Sequence, residues 1–407
     1  MDLEKIKARK GEYADYMVDK IKGVISDCGT RFSGSDGEKE AAYYLEKELK
    51  NYSDETKVES FEVHPNSFYG WAPWTVTFLL LGVACLFLMP FLSIVFVILA
   101  LVPMLTTFVT YRTAFDRFYP KKESHNVTAV KMPKGEVKRA VYFSGHMDAA
   151  KEWTINYKFG GKVMTAAVLI GFLSIVYITA VAIYSMIVLP KAGVTFSGNL
   201  DMNVRLYVCF ASLVFVIPIF SMYFLSSRKR VVDGANDNLS GCLTAMAILK
   251  AVNDNTIEFE HTKIGVILTG SEETGLRGAK AWAKTHRDEC LSTPTDIFAF
   301  DTVTELEHLT VNLKDLNNTV QTNKELGKNF MNAAKSLGVK CVYGGIPIGA
   351  SDGAAFCQEG LRATSITAMN HDIPRYYHTR VDSVDALNKD ALATVFEVIV
   401  EMLKNYE

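Results

Sequence analysis

The sequence predicts an α/β domain with a mixed, mostly parallel central sheet, interrupted by four transmembrane helices inserted as two hairpins. Three observations predict it. Short β-branched runs alternate with helical periods, charged residues vanish from three long stretches, and polar clusters fall directly after apolar strands. Alternation of strand and helix is the pattern of a parallel sheet covered by helices on both faces.

The chain has 407 residues, 49% of them hydrophobic and 22% charged, so the apolar excess is concentrated in particular segments. Lys+Arg 43 against Asp+Glu 45 leaves a net charge of -2, which supplies no basic field for nucleic acid. Seven cysteines, an odd number with no CxxC pair, fit a reducing compartment better than a disulfide framework.

From Val63 to Tyr111 there are 49 residues without Asp, Glu, Lys or Arg. That is about twice the roughly 20 residues one span needs, so the segment must fold back on itself. The expected reversal is Met89-Pro90-Phe91, because Pro lacks the backbone N–H that a helix interior uses. Val163–Pro190 and Leu206–Ser227 are two further uncharged runs, each long enough for one span. The hairpins are therefore assigned to 71–111 and 163–226. The soluble domain is assigned to 1–70, 112–162 and 227–407, all on one face of the bilayer. Setting aside the three uncharged runs leaves 308 residues, enough for one large core.

Ten Lys and Arg near the span ends lie on the domain side, among them Arg112, Arg117, Lys162 and Arg228–Arg230, against Lys191 and Arg205 on the other. The positive-inside rule then places the soluble domain and both termini in the cytoplasm, in an integral membrane protein of four spans. The charged, amphipathic beginning of the chain has no apolar core of the kind a signal peptide carries.

Outside the spans, Val58–Val63, Asn126–Val130, Ala140–Ser144, Lys263–Thr269, Asp296–Phe300 and Ala363–Thr367 read as strands. Ala41–Leu49, Gly241–Val252, Leu276–Thr285, Glu325–Leu337 and Ala386–Lys404 read as helices. In such folds, sites lie beyond the C-terminal ends of the strands. The polar clusters fall there: His146 and Asp148 follow one strand, Glu272 and Glu273 a second, and Asp301 ends a third. Asp237 sits in a Gly-rich turn opening a helix, and His378 in a loop before the last helix. Imidazole and carboxylate groups converging from separate loops suggest a metal centre.

Read in order, GTRFSGSDGEKEAAYYLEKEL, HMD, DNLSG, SEETGLRGA, Asp301, SDGAAF and YHTRVD resemble the zinc-dependent aminopeptidases with a co-catalytic dinuclear centre, kin of glutamate carboxypeptidase, glutaminyl cyclase and the transferrin receptor. The resemblance covers nearly all the non-membrane chain and implies a three-layer zinc-peptidase-like domain. It implies two Zn2+ per chain, or another divalent transition ion, with His146 and Asp301 on one, Glu273 and His378 on the other, and Asp237 bridging. Glu272 would be the general base, and Asp148 would orient the His146 ring. Tyr376, Tyr377, Ser351 and Asp352 are candidate substrate contacts.

Two departures stand out. Gly353 follows Ser351-Asp352 where the family often has His, and 91 positions separate His146 from Asp237. The second is explained by the inserted hairpin, which would tether the site's rim close to the bilayer.

The expected activity is removal of N-terminal residues from peptides by a membrane-embedded metalloaminopeptidase. Alternatives are a single-zinc cyclase or acyl-transfer enzyme of the same fold, a non-catalytic receptor or scaffold, and a transporter. The complete ligand set argues against the first two, and the absence of ionisable groups within the later two spans argues against transport. The expected partners are a peptide substrate and the lipid bilayer, with no nucleic acid. The glycosylation-type triplets at Asn126, Asn238 and Asn317 are read as unmodified, and Cys242 and Cys357 as packing residues.

Overall fold

The computed structural model describes residues 3–189 and 200–406. The chain divides into two units, one of residues 1–65, 120–152 and 229–407 and one of residues 66–119 and 153–228. The division falls close to the expected hairpin limits but moves each outward, because short helical and irregular flanks pack with the apolar helices rather than with the sheet.

The first unit is built on a nine-stranded sheet. Its strands are β1 (Glu55–Val63), β2 (Lys122–Lys131), β3 (Arg139–His146), β6 (Thr262–Thr269), β7 (Thr295–Val303), β8 (Leu309–Asp315), β9 (Val320–Gln321), β10 (Val342–Gly345) and β11 (Arg362–Ala368). The short pair β4 (Lys151–Trp153) and β5 (Ser226–Val231) forms a separate ribbon. The order across the large sheet is β1-β2-β6-β3-β7-β11-β8-β10, with β9 on β8. The central strands β6, β3, β7 and β11 run parallel, in registers such as Phe143↔Phe298 and Ser365↔Ala299. β2 is antiparallel to β6, and β8 is antiparallel to β11, which makes the sheet mixed.

Each strand read in the sequence is present and extends further at one or both ends. Three strands of the large sheet were not read there: β8, the two-residue β9, and β10, a four-residue edge strand whose side chains are mostly exposed and so lack an apolar signature.

Side chains alternate across the sheet. Val141 and Phe143 face a core shared with helices Lys10–Cys28, Asp36–Leu49, Ser240–Asp254, Lys324–Ser336 and Lys389–Met402. Tyr142 faces the other way, where Trp282 of helix Arg277–Ser292 packs edge-on at 5.6 Å and meets Phe356 of helix Asp352–Gln358 at 5.7 Å. Helices therefore cover both faces, in three layers. Burying an aromatic side chain of this kind contributes about 2 to 3 kcal/mol.

Described by itself, the second unit holds, among the described residues, four helices long and apolar enough to cross a membrane: Pro65–Leu88, Pro90–Val109, Gly161–Val188 and Met202–Phe224. The first pair reverses at Met89, where Leu88 ends one helix and Pro90 begins the next, as the missing proline N–H predicts. Leu79, Val83, Leu86, Ala100, Ile178, Ala182, Cys209 and Ile219 form its interior. Large apolar side chains such as Leu88, Phe91, Leu173, Val176, Val214 and Ile217 point outward. An apolar exterior on this scale is a surface suited to lipid.

Arg205, expected just outside the uncharged run Leu206–Ser227, instead lies within helix Leu200–Ala211 and is 3% exposed. Its Nη2 donates to the carbonyls of Leu86 and Phe87, both at 2.9 Å, and so caps the end of the first span. The free carbonyls of a helix end attract a cation, which overrides the loop position that charge alone suggested. Residues 190–199, with Pro190, Lys191 and Gly198, lie outside the described residues.

Candidate metal centre

Every one of the four central parallel strands delivers side chains to the same end of the sheet. β3 ends at His146, β6 is followed by Glu272 and Glu273, β7 carries Asp301 near its end, and β11 leads into the loop of His378. Asp237 arrives from the turn before helix Ser240–Asp254, with a cis peptide joining it to Asn238.

Ligand atoms of His146, Asp237 and Asp301 lie within 4.8 Å of one another, and so do those of Asp237, Glu273 and His378. Asp237 belongs to both groups. Its Oδ1 lies 3.2 Å from His146 Nε2 and its Oδ2 lies 2.9 Å from His378 Nε2. Glu273 Oε1 is 3.3 Å from His378 Nε2, and Glu272 Oε2 is 3.8 Å from His146 Nε2.

The electrostatics call for cations. Burial pushes Asp301 up to about 8 and raises Glu272 and Glu273 as well, because four carboxylates crowd a dry space. Burial alone would lower the two histidines, but Glu273 beside His378 lifts it to about 10, and Glu272 and Asp148 raise His146. Asp237 is driven the other way: burial opposes its charge, yet its contacts with both histidines hold it well below the usual carboxylate range.

Asp237 Oδ2 and Glu273 Oε1 are buried, and both converge on one ring nitrogen, His378 Nε2, at 2.9 and 3.3 Å. One ring N–H cannot satisfy every buried carboxylate oxygen that faces it, so carboxylate oxygens converging with imidazole nitrogens fit a hard-to-borderline cation. The donor set suits zinc, with two groups of ligands sharing one carboxylate.

Around these ligands stands a layer of residues that hold the loops. Asp148 lies behind His146, but its strongest bonds run elsewhere. His146 Nδ1 is 3.4 Å from Asp148 Oδ1 and 3.3 Å from the Asp148 carbonyl. The carboxylate itself accepts the backbone N–H groups of Glu272 at 2.9 Å and Glu273 at 3.1 Å, and the Ser33 hydroxyl at 2.9 Å. Asp148 thus fixes the Glu272-Glu273 loop more firmly than it fixes the imidazole.

Three holding residues were not singled out from the sequence. Arg31 is fully buried and donates to the carbonyls of Met147, Asp233 and Gly234 at 2.8, 2.6 and 3.3 Å. It thereby joins the His146 loop to the Asp237 turn. Glu38 accepts the N–H of Ser271 at 2.7 Å, and Asp382 accepts three N–H groups from Asn236 and Asp237. All three lie inside motifs that carried the family resemblance, GTRFSGSDGE and YHTRVD, so a signal existed without a role attached to it.

Of the candidate substrate contacts, Tyr377 stacks on the His378 ring at 4.1 Å. Tyr376 donates its hydroxyl to Glu305 at 3.2 Å. Ser351 and Asp352 are both buried and bonded inward: Ser351 to Asp315 and Ser365, and Asp352 to Thr269 at 2.5 Å. The opening of a helix at Asp352 draws both into the interior, so the structure does not present Ser351 to a ligand.

Asn126 and Asn238 are buried in bonds to Gly278 and Phe300, which supports reading their triplets as unmodified. Cys242 is buried against the His146 carbonyl at 3.0 Å.

No curated protein matches the sequence. Residues 221–403 match the model of peptidase family M28. Among solved structures, the chain is similar to an aminopeptidase from Aneurinibacillus sp. strain AM-1, with TM-score 0.58 and 13% identity over 98% of this chain and 96% of that one. It is similar to a zinc aminopeptidase from Bacillus subtilis, with TM-score 0.56 and 13% identity over 96% and 94%. It is also similar to an Acidobacteriales bacterium glutaminyl cyclase, with TM-score 0.55 and 12% identity over 98% and 94%. At these identities the likeness is one of fold, and it is the fold of the family that the sequence motifs resemble.

Proposed function

We propose that this chain, whose residues 221–403 match peptidase family M28, is a membrane-embedded zinc aminopeptidase that releases N-terminal residues from peptides. The observation that carries the reading is the position of Asp237, whose two oxygens face two different histidines in two overlapping groups of ligand atoms. In this reading His146 and Asp301 would hold one zinc ion, Glu273 and His378 would hold the other, and Asp237 would serve both.

A pair of such cations supplies Lewis acidity: it polarises a scissile carbonyl and lowers the pKa of water to near 7. The chain's own residues do the rest. Glu272 takes a proton from the attacking water and returns it to the departing amine. Burial raises its carboxyl well above the ordinary range, so it can hold that proton between the two steps. Asp148, bonded to the Glu272 and Glu273 N–H groups, keeps base and ligand aimed in different directions. Tyr377, stacked on His378, forms part of the wall against which a substrate would lie.

Elemental analysis of the purified protein combined with a screen of aminoacyl reporter substrates tests this. The expected result is about two zinc ions per chain and hydrolysis that is lost on chelation. An active enzyme with a single tightly held metal would instead favour the cyclase-type reading, since solved neighbours of the same fold include glutaminyl cyclases.

The four apolar helices support an integral membrane protein, and the excess of Lys and Arg on the domain side of the span ends is the ground for placing the peptidase unit and both termini in the cytoplasm. An impermeant thiol reagent applied to intact cells should modify a cysteine placed at Gly198 and spare one placed at Lys324. The reverse pattern would invert the topology.

A further inference from the structure

The loop that carries His378 is held at two alternate positions beyond it. Asp382 accepts the N–H groups of Asn236 and Asp237, as described above. Arg380 forms a two-pronged ion pair with Glu152: its Nε lies 2.5 Å from Oε2 and its Nη2 lies 2.7 Å from Oε1. Glu152 is 2% exposed, so its carboxylate is out of water and bound by the guanidinium fork. Fork-to-carboxylate pairing fixes direction as well as distance, which a single point contact does not.

Two features make this pair more than a local tie. His378 itself has φ 53, a left-handed conformation that a side-chain-bearing residue keeps only when its surroundings impose it. A ring in that position depends on what holds the residues on either side. Glu152, moreover, is the last residue of the peptidase unit before the chain runs into the unit of residues 153–228, and Arg230, the second residue after its return, has its Nε 4.0 Å from Glu152 Oε1. The exit point and the return point of the apolar insert therefore meet at the same carboxylate that holds the His378 loop.

We propose that Glu152 and Arg380 are positioning residues that seat His378 as a ligand, so that the affinity of the Glu273–His378 half of the centre depends on the strand from which the apolar insert departs. The inference rests on the dinuclear reading above. Removing residues that orient metal ligands characteristically weakens metal binding by about 10- to 100-fold.

The test is zinc titration of the full-length, detergent-solubilised apoprotein, with a competing chelator and without reference to turnover. The wild type should show two binding steps. Arg380→Ala should weaken one step by about 10- to 100-fold and leave the other unchanged. Arg380→Lys, which keeps the charge and loses the fork, should fall between. Glu152→Gln, nearly isosteric, gives the same readout if Arg380→Ala does not fold. The double exchange Glu152→Arg with Arg380→Glu should recover part of the loss.

Two unchanged steps in Arg380→Ala and in Glu152→Gln would overturn the proposal and leave the dinuclear reading intact. Equal weakening of both steps together with a lower melting temperature of the apoprotein would also overturn it, since that is what general loosening of the fold produces. A wild type that binds fewer than two zinc ions would overturn both readings.

Discussion

Asp382 Oδ2 accepts the backbone N–H of Asp237 at 3.0 Å, although 145 positions separate the two residues. Its other oxygen takes the Asn236 backbone N–H at 2.8 Å and the Asn236 side chain at 2.9 Å. The carboxylate that faces both histidines is thus aimed by a second carboxylate behind it. Asp382→Ala should cost about 2 to 4 kcal/mol, because it strands buried N–H donors of a charge-assisted network. Thermal unfolding of the apoprotein reads that cost, and elemental analysis should show less zinc retained than in the wild type.

Separating proton transfer from coordination gives a sharper contrast. Glu272→Gln should lower kcat by about 10²- to 10⁴-fold with metal content near wild type, the usual range for loss of a general base. Asp237→Ala and Glu273→Ala should lose metal together with activity. A Glu272→Gln enzyme that kept most of its turnover would remove Glu272 from the mechanism.

Arg31 links the segment after His146 to the turn before Asp237 through three carbonyls. Arg31→Met keeps much of its volume and removes every donor. The expected destabilisation is about 2 to 4 kcal/mol, since buried carbonyls lose their partners. The variant should be rescued in part by saturating zinc, because ligand binding to the folded state stabilises it by mass action. Melting temperatures with and without added zinc measure both effects.

Acid should loosen the contact between the two ends of the chain. Lys7 Nζ lies 2.7 Å from Glu401 Oε2, and Lys404 reaches the same carboxylate. Burial would raise Glu401, but its bonds to Lys404 and Lys7 outweigh this and hold it below the ordinary value of 4.5. A carboxyl depressed in the folded state adds stability that is fully present above the unfolded pKa and is lost as pH falls through the folded one. Stability should therefore decline as pH drops below about 4.5. Lys7→Met should flatten that decline by about 1 kcal/mol or less, the usual worth of a partly exposed pair. Unfolding curves at pH 7 and pH 4 for both proteins check it; equal slopes would dismiss the pair.

Local chemistry explains why so much of the molecule was legible in advance. Proline is tolerated at the first position of a helix and costs a hydrogen bond in its interior, and an uncharged run twice one span long must reverse near its middle, so the reversal at Met89-Pro90 needed no knowledge of neighbours. Strand-ending polar groups such as His146 and Asp301 announce themselves because an apolar run stops there. Where a segment lacks such contrast, reading fails. β10 is short and exposed, and the 19-residue helix Lys10–Cys28 shows its apolar stripe of Tyr13, Met17, Ile21 and Val24 only among many charges.

What the chain's order determined by itself was the alternation of elements, the extent of the apolar runs and the residue types available beyond the strands. The tertiary structure alone decided that Asp148 would grip the Glu272-Glu273 loop, that Arg205 would turn inward onto the carbonyls of Leu86 and Phe87, and that Glu152 would meet Arg380 across 228 positions. The reason is the range of the forces involved. Propensity and periodicity act over one or two turns of backbone, whereas buried charges find partners only after the strand order has brought distant loops to one end of a sheet, and in that dry space an unmatched charge is too costly to leave alone.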